Sequence, residues 1–120
     1  MFGESAEEKA LIEMWNRRVE LNVLMPVAQG FRNMTGFFKD REKVVPEWGE
    51  VSAEIAQESV ALFNDHLADN QYVNGDRYTI TDMTLAIVLG FAKNVGQDLL
   101  GGENIARWHA EVTARPALAA

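Results

Sequence analysis

Between residue 7 and about residue 38, apolar side chains return at spacings of mostly three to five, at Leu11, Met14, Trp15, Val19, Leu24, Val27, Phe31 and Met34. That period is one face of an α-helix. Ser5 or Glu4 stands before it as a cap, and Glu7 and Glu8 put negative charge where the helix dipole is positive. Pro26 lies inside the pattern. It removes a backbone donor and crowds the preceding turn, which predicts a kink near residues 22–25 rather than a stop. Residues 39–46 are charged and end in proline, so they read as a loop. A second helix follows over about residues 48–68, with Val51, Ile55, Ser59, Leu62, Phe63 and Leu67 on one side.

Residues 69–78 are a turn region. Asn74-Gly75 signals a hairpin only between strands. None flank it, so it reads as a helix-to-helix connection. The third helix, about residues 80–95, is apolar on nearly every side: Met83, Leu85, Ala86, Ile87, Val88, Leu89 and Phe91. A helix of that kind is buried, which makes it the central element. Gly90 lowers its helix propensity but permits a close neighbour. After Gly101-Gly102 a fourth helix runs over about residues 103–114, with Ile105, Trp108 and Val112 inward, and Arg115-Pro116 ends it. The pattern predicts an all-α fold, a bundle of four to five helices.

A chain of 120 residues is one domain. Residues 1–6 read as an acidic N-terminal tail and residues 7–120 as the helical domain. There is no cysteine. That excludes disulfides, thiolate metal sites and a cysteine nucleophile, and fits a reducing, cytoplasmic setting. A formal charge of −7 argues against nucleic acid and anionic membrane as partners, since both are polyanions. No apolar run approaches the ~20 residues of a membrane span. His66 and His109 are far apart and lack ligand spacing, so no metal site is expected. No residue stands out as catalytic.

The segment Gly75-Asp76-Arg77-Tyr78-Thr79-Ile80-Thr81-Asp82 is a helix start. Thr79 is placed as N-cap, its hydroxyl accepting from the N–H of Asp82, and Asp82 reaches back to the N–H of Thr79. Tyr78 and Met83 are placed as a hydrophobic staple, and Gly75 frees the backbone to turn. This capping role accounts for Asp82, which we read as structural. The pattern Gly-x-x-aromatic-Thr-x-x-Asp resembles the start of the core helix in the C-terminal domain of glutathione transferases. Further segments are similar to that family in the same order. They are Ala10 to Val19, Leu62-Phe63-Asn64-Asp65-His66-Leu67, Tyr72-Val73-Asn74-Gly75-Asp76, and Ile105 to Trp108 followed by Ala114-Arg115-Pro116.

The resemblance implies a C-terminal-like helical domain over residues 7–120, without the thioredoxin-like domain that binds glutathione and carries the catalytic residue. No βαβ pattern precedes residue 7. The resemblance therefore implies no cofactor in this chain, with glutathione the co-substrate of the parent enzyme, and a homodimer or a thioredoxin-like domain as partner. It places Val27 and Phe31 at substrate-pocket positions, one turn apart; the alternative is core packing. It puts Leu21, with Glu20 beside it, where several classes carry an acid that meets the glutathione amino group; the alternative for Glu20 is a solvated charge. Arg17 and Arg18 either bind a carboxylate or pair with acids such as Glu13 on the helix surface. Two functions follow. One is the substrate-pocket half of an enzyme that conjugates glutathione to electrophiles. The other is a non-catalytic interaction module, as similar domains occur on translation factors and aminoacyl-tRNA synthetases.

Overall fold

A computed structural model describes residues 1–116. It contains α1 (Ala6–Val19), α2 (Met25–Thr35), α3 (Pro46–His66), α4 (Ile80–Asn94) and α5 (Glu103–Thr113), with a π-helical turn, Glu20–Leu24, joining α1 to α2. Ser5 caps α1, its hydroxyl accepting the Glu8 N–H at 3.1 Å. The described residues form no strand. Two single bridges, Tyr72 with Gly75 and Asn74 with Arg77, shape the connection before α4. The fold is an all-α bundle. No helix among the described residues is long and apolar enough to cross a membrane.

The expected kink near residues 22–25 is a π turn. Pro26 has no N–H, and its ring crowds the carbonyl four residues back. Within the π turn the Met25 N–H bonds to the Glu20 carbonyl, five residues back, and the helix widens past the ring without breaking. α2 closes earlier than the apolar pattern suggests, because Gly36 adopts the left-handed conformation (φ 66, ψ 26) after Thr35. α3 starts earlier than expected. Pro46 occupies its first turn, where a missing N–H costs nothing.

The core joins Val19, Val23 and Val27 of the first rod to Val60 and Phe63 of α3, Leu85 and Leu89 of α4, and Ile105, Trp108 and Val112 of α5. The inner face of α3 is rotated from the one its large apolar residues mark. Gly49, Ser52, Ala56, Val60 and Phe63 are buried, whereas Val51, Ile55 and Leu62 are exposed. The cause is how closely α2 approaches. A Cβ at Gly49 would lie 2.8 Å from the Met34 backbone nitrogen, and one at Gly30 would lie 3.4 Å from the Gly49 carbonyl oxygen. Only small residues fit there, so the bulkier ones turn outward.

α4 departs from expectation in a similar way. Leu85, Ala86, Val88, Leu89 and Ala92 are buried, but Ile87 and Phe91 remain exposed. α5 matches its pattern, with Ile105, Trp108 and Val112 all at 0% exposure.

Gly49→Ala is expected to destabilise the chain by about 1–3 kcal/mol, as overpacking does where the neighbour is backbone rather than a flexible side chain. Urea unfolding of the two proteins measures it. A neutral result would mean that α2 and α3 separate at little cost.

Candidate functional site

At the head of α4, Thr79 is extended (φ −134, ψ 176) and its hydroxyl accepts the Thr81 N–H at 3.3 Å. Asp82 Oδ2 accepts the Thr79 N–H at 3.0 Å. The other oxygen of Asp82 has partners that the local sequence does not announce. Oδ1 accepts the Val73 N–H at 3.0 Å and the Trp108 indole N–H at 2.8 Å. Asp82 is fully buried, so its carboxylate joins the turn, the helix cap and α5 in one place. Gly75, at φ 92, makes the turn that delivers Val73. The Tyr78 ring meets Tyr72 edge-on at 5.9 Å and lies 3.7 Å beneath the Arg115 guanidinium. Burial raises the Tyr78 phenol pKa above its usual value, against the opposing charge of Arg115.

His66 holds the same turn from below. Its Nε2 lies 2.7 Å from the Val73 carbonyl, and its ring packs on Trp15 at 4.3 Å. His109 sits on α5, where burial and then the Lys93 charge hold its pKa below the usual value. The described residues bring together no group of three or more His, Cys, Asp or Glu able to hold a metal.

The residues assigned to a pocket do not converge. Val27 is at 0% exposure within the core, and its carbonyl accepts from the Gln97 amide at 3.0 Å. Phe31 is partly exposed and packs on Phe37 at 5.4 Å, which in turn meets Phe38 edge-on at 4.9 Å. Phe37 is 66% exposed, and the Arg32 and Arg41 guanidinia lie over Phe38 at 5.6 and 5.8 Å. The Phe37-Phe38 pair just past Gly36 was the available sequence signal for this aromatic cluster. Glu20 accepts from Arg17 at 3.0 Å, and Arg17 also pairs with Glu13. Arg18 instead lies over Trp15 at 4.8 Å.

Clefts lie elsewhere among the described residues, two of them flanked by exposed apolar side chains. One of about 250 Å³ between α1 and α3 is lined by Trp15, Arg18, Asn22, Ser59, Leu62 and Phe63. A wider one of about 440 Å³ is lined by Leu24, Thr84, Ile87, Val88 and Phe91. Periodicity could not disclose the second, because α4 is apolar on nearly all sides.

Residues 46–120 match the family described as glutathione S-transferase, C-terminal domain. The chain belongs to the glutathione S-transferase family. Its residues are 29% identical over 119 positions to glutathione S-transferase 2 of Saccharomyces cerevisiae, a match covering 97% of this chain and 51% of that protein. Among solved structures, a glutathione S-transferase domain-containing protein of Marinobacter aquaeolei is similar at 35% identity and a TM-score of 0.89, over 97% of this chain and 58% of that one. A class Gtt2 glutathione S-transferase of Vibrio parahaemolyticus is similar at 36% identity and a TM-score of 0.82, over 98% and 55%. This glutathione S-transferase domain thus spans about half the length of the curated relative it matches.

Thr79→Ala is expected to cost about 0.5–2 kcal/mol, the usual value of a lost N-cap. Asp82→Ala is expected to cost more, because the buried donors of Val73 and Trp108 also lose their acceptor, at about 1–3 kcal/mol each. Urea unfolding at pH 7 compares them. Equal losses would reduce Asp82 to a capping residue.

Proposed function

We propose that this domain is the helical half of a two-part glutathione S-transferase and walls the pocket for the hydrophobic electrophile. The observation that carries the reading is the pairing of near-complete coverage of this chain with about half coverage of each relative. The other half would hold glutathione and lower the pKa of its thiol. The thiolate sulfur then bonds to the electrophilic carbon, and the leaving group departs with the bonding pair. Phe31, backed by Phe37, offers the aromatic wall. Val27, one turn below and buried, braces that wall from inside the core. Glu20, with its side chain 45% exposed, is the acid on this rod available to an amino group once it exchanges Arg17 for it.

We assign a second copy of the chain as partner. Met14, Leu21 and Met25, at 39, 56 and 47% exposure, form an apolar stripe along the first rod. Such a stripe is unusual on a monomer, and a symmetric pair is the commonest way to cover one. The same stripe favours the second reading, a non-catalytic assembly module. The proposed setting is the cytoplasm, in keeping with a chain free of cysteine.

Purified alone, the chain is expected to show no conjugation of glutathione to an aryl halide, since nothing in it would activate the sulfur. Turnover that survives stringent purification and disappears on mutation of a residue in this chain would overturn the division of labour. Light scattering across a concentration series should reveal self-association, weakened by Leu21→Glu. A strict monomer at high micromolar concentration would remove the second copy as partner.

A further inference from the structure

We propose that the electrophile carries a carboxylate, and that Arg32 and Arg41, stacked on Phe38, receive it while its aryl ring lies against Phe37. The inference rests on the pocket reading above and names the substrate class for that wall.

Most arginines of this chain have their donors engaged. Arg17 pairs with Glu13 and Glu20, and Arg77 with Glu8. Arg107 donates to the Leu67, Asn70 and Gln71 carbonyls and to Glu111, and Arg115 to the Tyr72 hydroxyl. Arg32 and Arg41 are the contrast. Among the described residues neither guanidinium donates a hydrogen bond. Arg41 has only a loose approach of its Nε to Asp40 at 3.8 Å, with the two side chains 75 and 73% exposed. Arg18 is in the same condition but stands alone over Trp15. Arg32 and Arg41 instead share one ring, Phe38, at 5.6 and 5.8 Å. Stacking occupies the flat face of a guanidinium. Its edge keeps the fork of N–H groups that matches a carboxylate.

The backbone holds this arrangement in shape. Gly36 turns the chain at φ 66, and the Thr35 hydroxyl accepts the Phe37 N–H at 3.2 Å. The Phe38 carbonyl accepts the Arg41 N–H at 2.9 Å and the Glu42 N–H at 3.0 Å. Asn33, buried on α2, accepts the Val45 N–H at 2.9 Å and ties down the far end of the loop. Arg32 of α2 and Arg41 of the loop thereby reach the same ring.

The charge agrees. Arg32, Lys39, Arg41 and Lys43 against Asp40 and Glu42 leave residues 32–43 at net +2, in a chain of net −7. An anion approaching the domain is therefore drawn to this stretch. Phe37 stands exposed between Phe31 and Phe38 and offers a ring for an aryl body. An uncharged electrophile would leave the guanidinia without a partner. A small anion without a ring would leave Phe37 bare. An aryl carboxylate answers to both.

The test is an NMR titration of the full 120-residue chain with para-chloro-meta-nitrobenzoate, the matching neutral benzamide, and acetate. The benzoate is expected to shift the signals of Arg32, Phe37, Phe38 and Arg41, and to bind roughly fivefold more tightly than the amide or acetate. Arg32→Lys and Arg41→Lys keep the charge but lose the fork, so each should weaken benzoate binding about threefold. Arg18→Lys and Lys43→Gln should leave it unchanged. No binding of the benzoate, equal binding of benzoate and amide, or equal weakening by all four substitutions would overturn the assignment. Shifts of the same signals on vesicles of phosphatidylcholine and phosphatidylglycerol, which the benzoate cannot displace, would give the patch to a membrane surface and overturn it too. Binding is read on this chain alone, and conjugation separately, after adding the part of the Marinobacter aquaeolei relative that this chain does not match. Benzoate bound as expected but never conjugated would count against the proposed activity and not against the carboxylate site. Benzoate and amide conjugated at equal rates would do the reverse.

Discussion

The buried carboxylate of Asp82 is the constraint around which the other elements are arranged. A charged group taken out of water is stable only when donors replace its hydration. Here three do so: the Val73 N–H, the Thr79 N–H and the Trp108 indole. They come from the turn, the helix cap and α5, so meeting the needs of one side chain fixes the relation of all three. The turn is bound further by His66 from α3 and by Arg107, whose guanidinium donates to the Leu67 carbonyl at 2.9 Å. α5 is held at its start by Asn64, which accepts the Ile105 N–H at 3.0 Å. The end of α3 and the start of α5 therefore each borrow a missing partner from the other helix.

A second constraint acts where α2 and α3 meet through Gly30, Gly49 and the Ala53 backbone. Close backbone approach there sets the rotation of α3. The rotation buries small side chains and sends Val51, Ile55 and Leu62 to the surface. The π turn at Glu20–Leu24 adds to this by carrying the rod past Pro26 unbroken, so that Val23 and Val27 both enter the core.

Together these constraints leave apolar surface in organised strips rather than scattered. One runs along the first rod, one along α3 and one along α4. On the reading proposed above, such strips would take the remainder of a larger assembly, and the aromatic cluster around Phe31 would face a small hydrophobic molecule.

The sequence by itself determined the helices, their order and the family, because those depend on signals local in the chain: helical period, caps, proline and glycine. The head of α4 was legible in part for that reason: the Thr79 N–H bonds to Asp82 as the local pattern suggests, whereas the Thr79 hydroxyl accepts from Thr81 rather than from Asp82. Trp108 on α5 was legible as a core residue from its spacing with Ile105 and Val112. What the sequence could not disclose was any pairing between residues far apart, such as Asp82 with Trp108 and Val73. Nor did it show which side of an apolar helix faces in. On α3 the size of the neighbouring backbone gap, and not hydrophobicity, chose the inner face. On α4 an apolar surface on nearly every side gave no direction at all, and only the packing of α1 and α5 decided that Leu85 and Leu89 would be buried while Ile87 and Phe91 stayed in solvent. The pocket residues divide in the same way. Val27 and Phe31 lie one turn apart in sequence, yet the packing of the bundle buries the first and leaves the second at the surface.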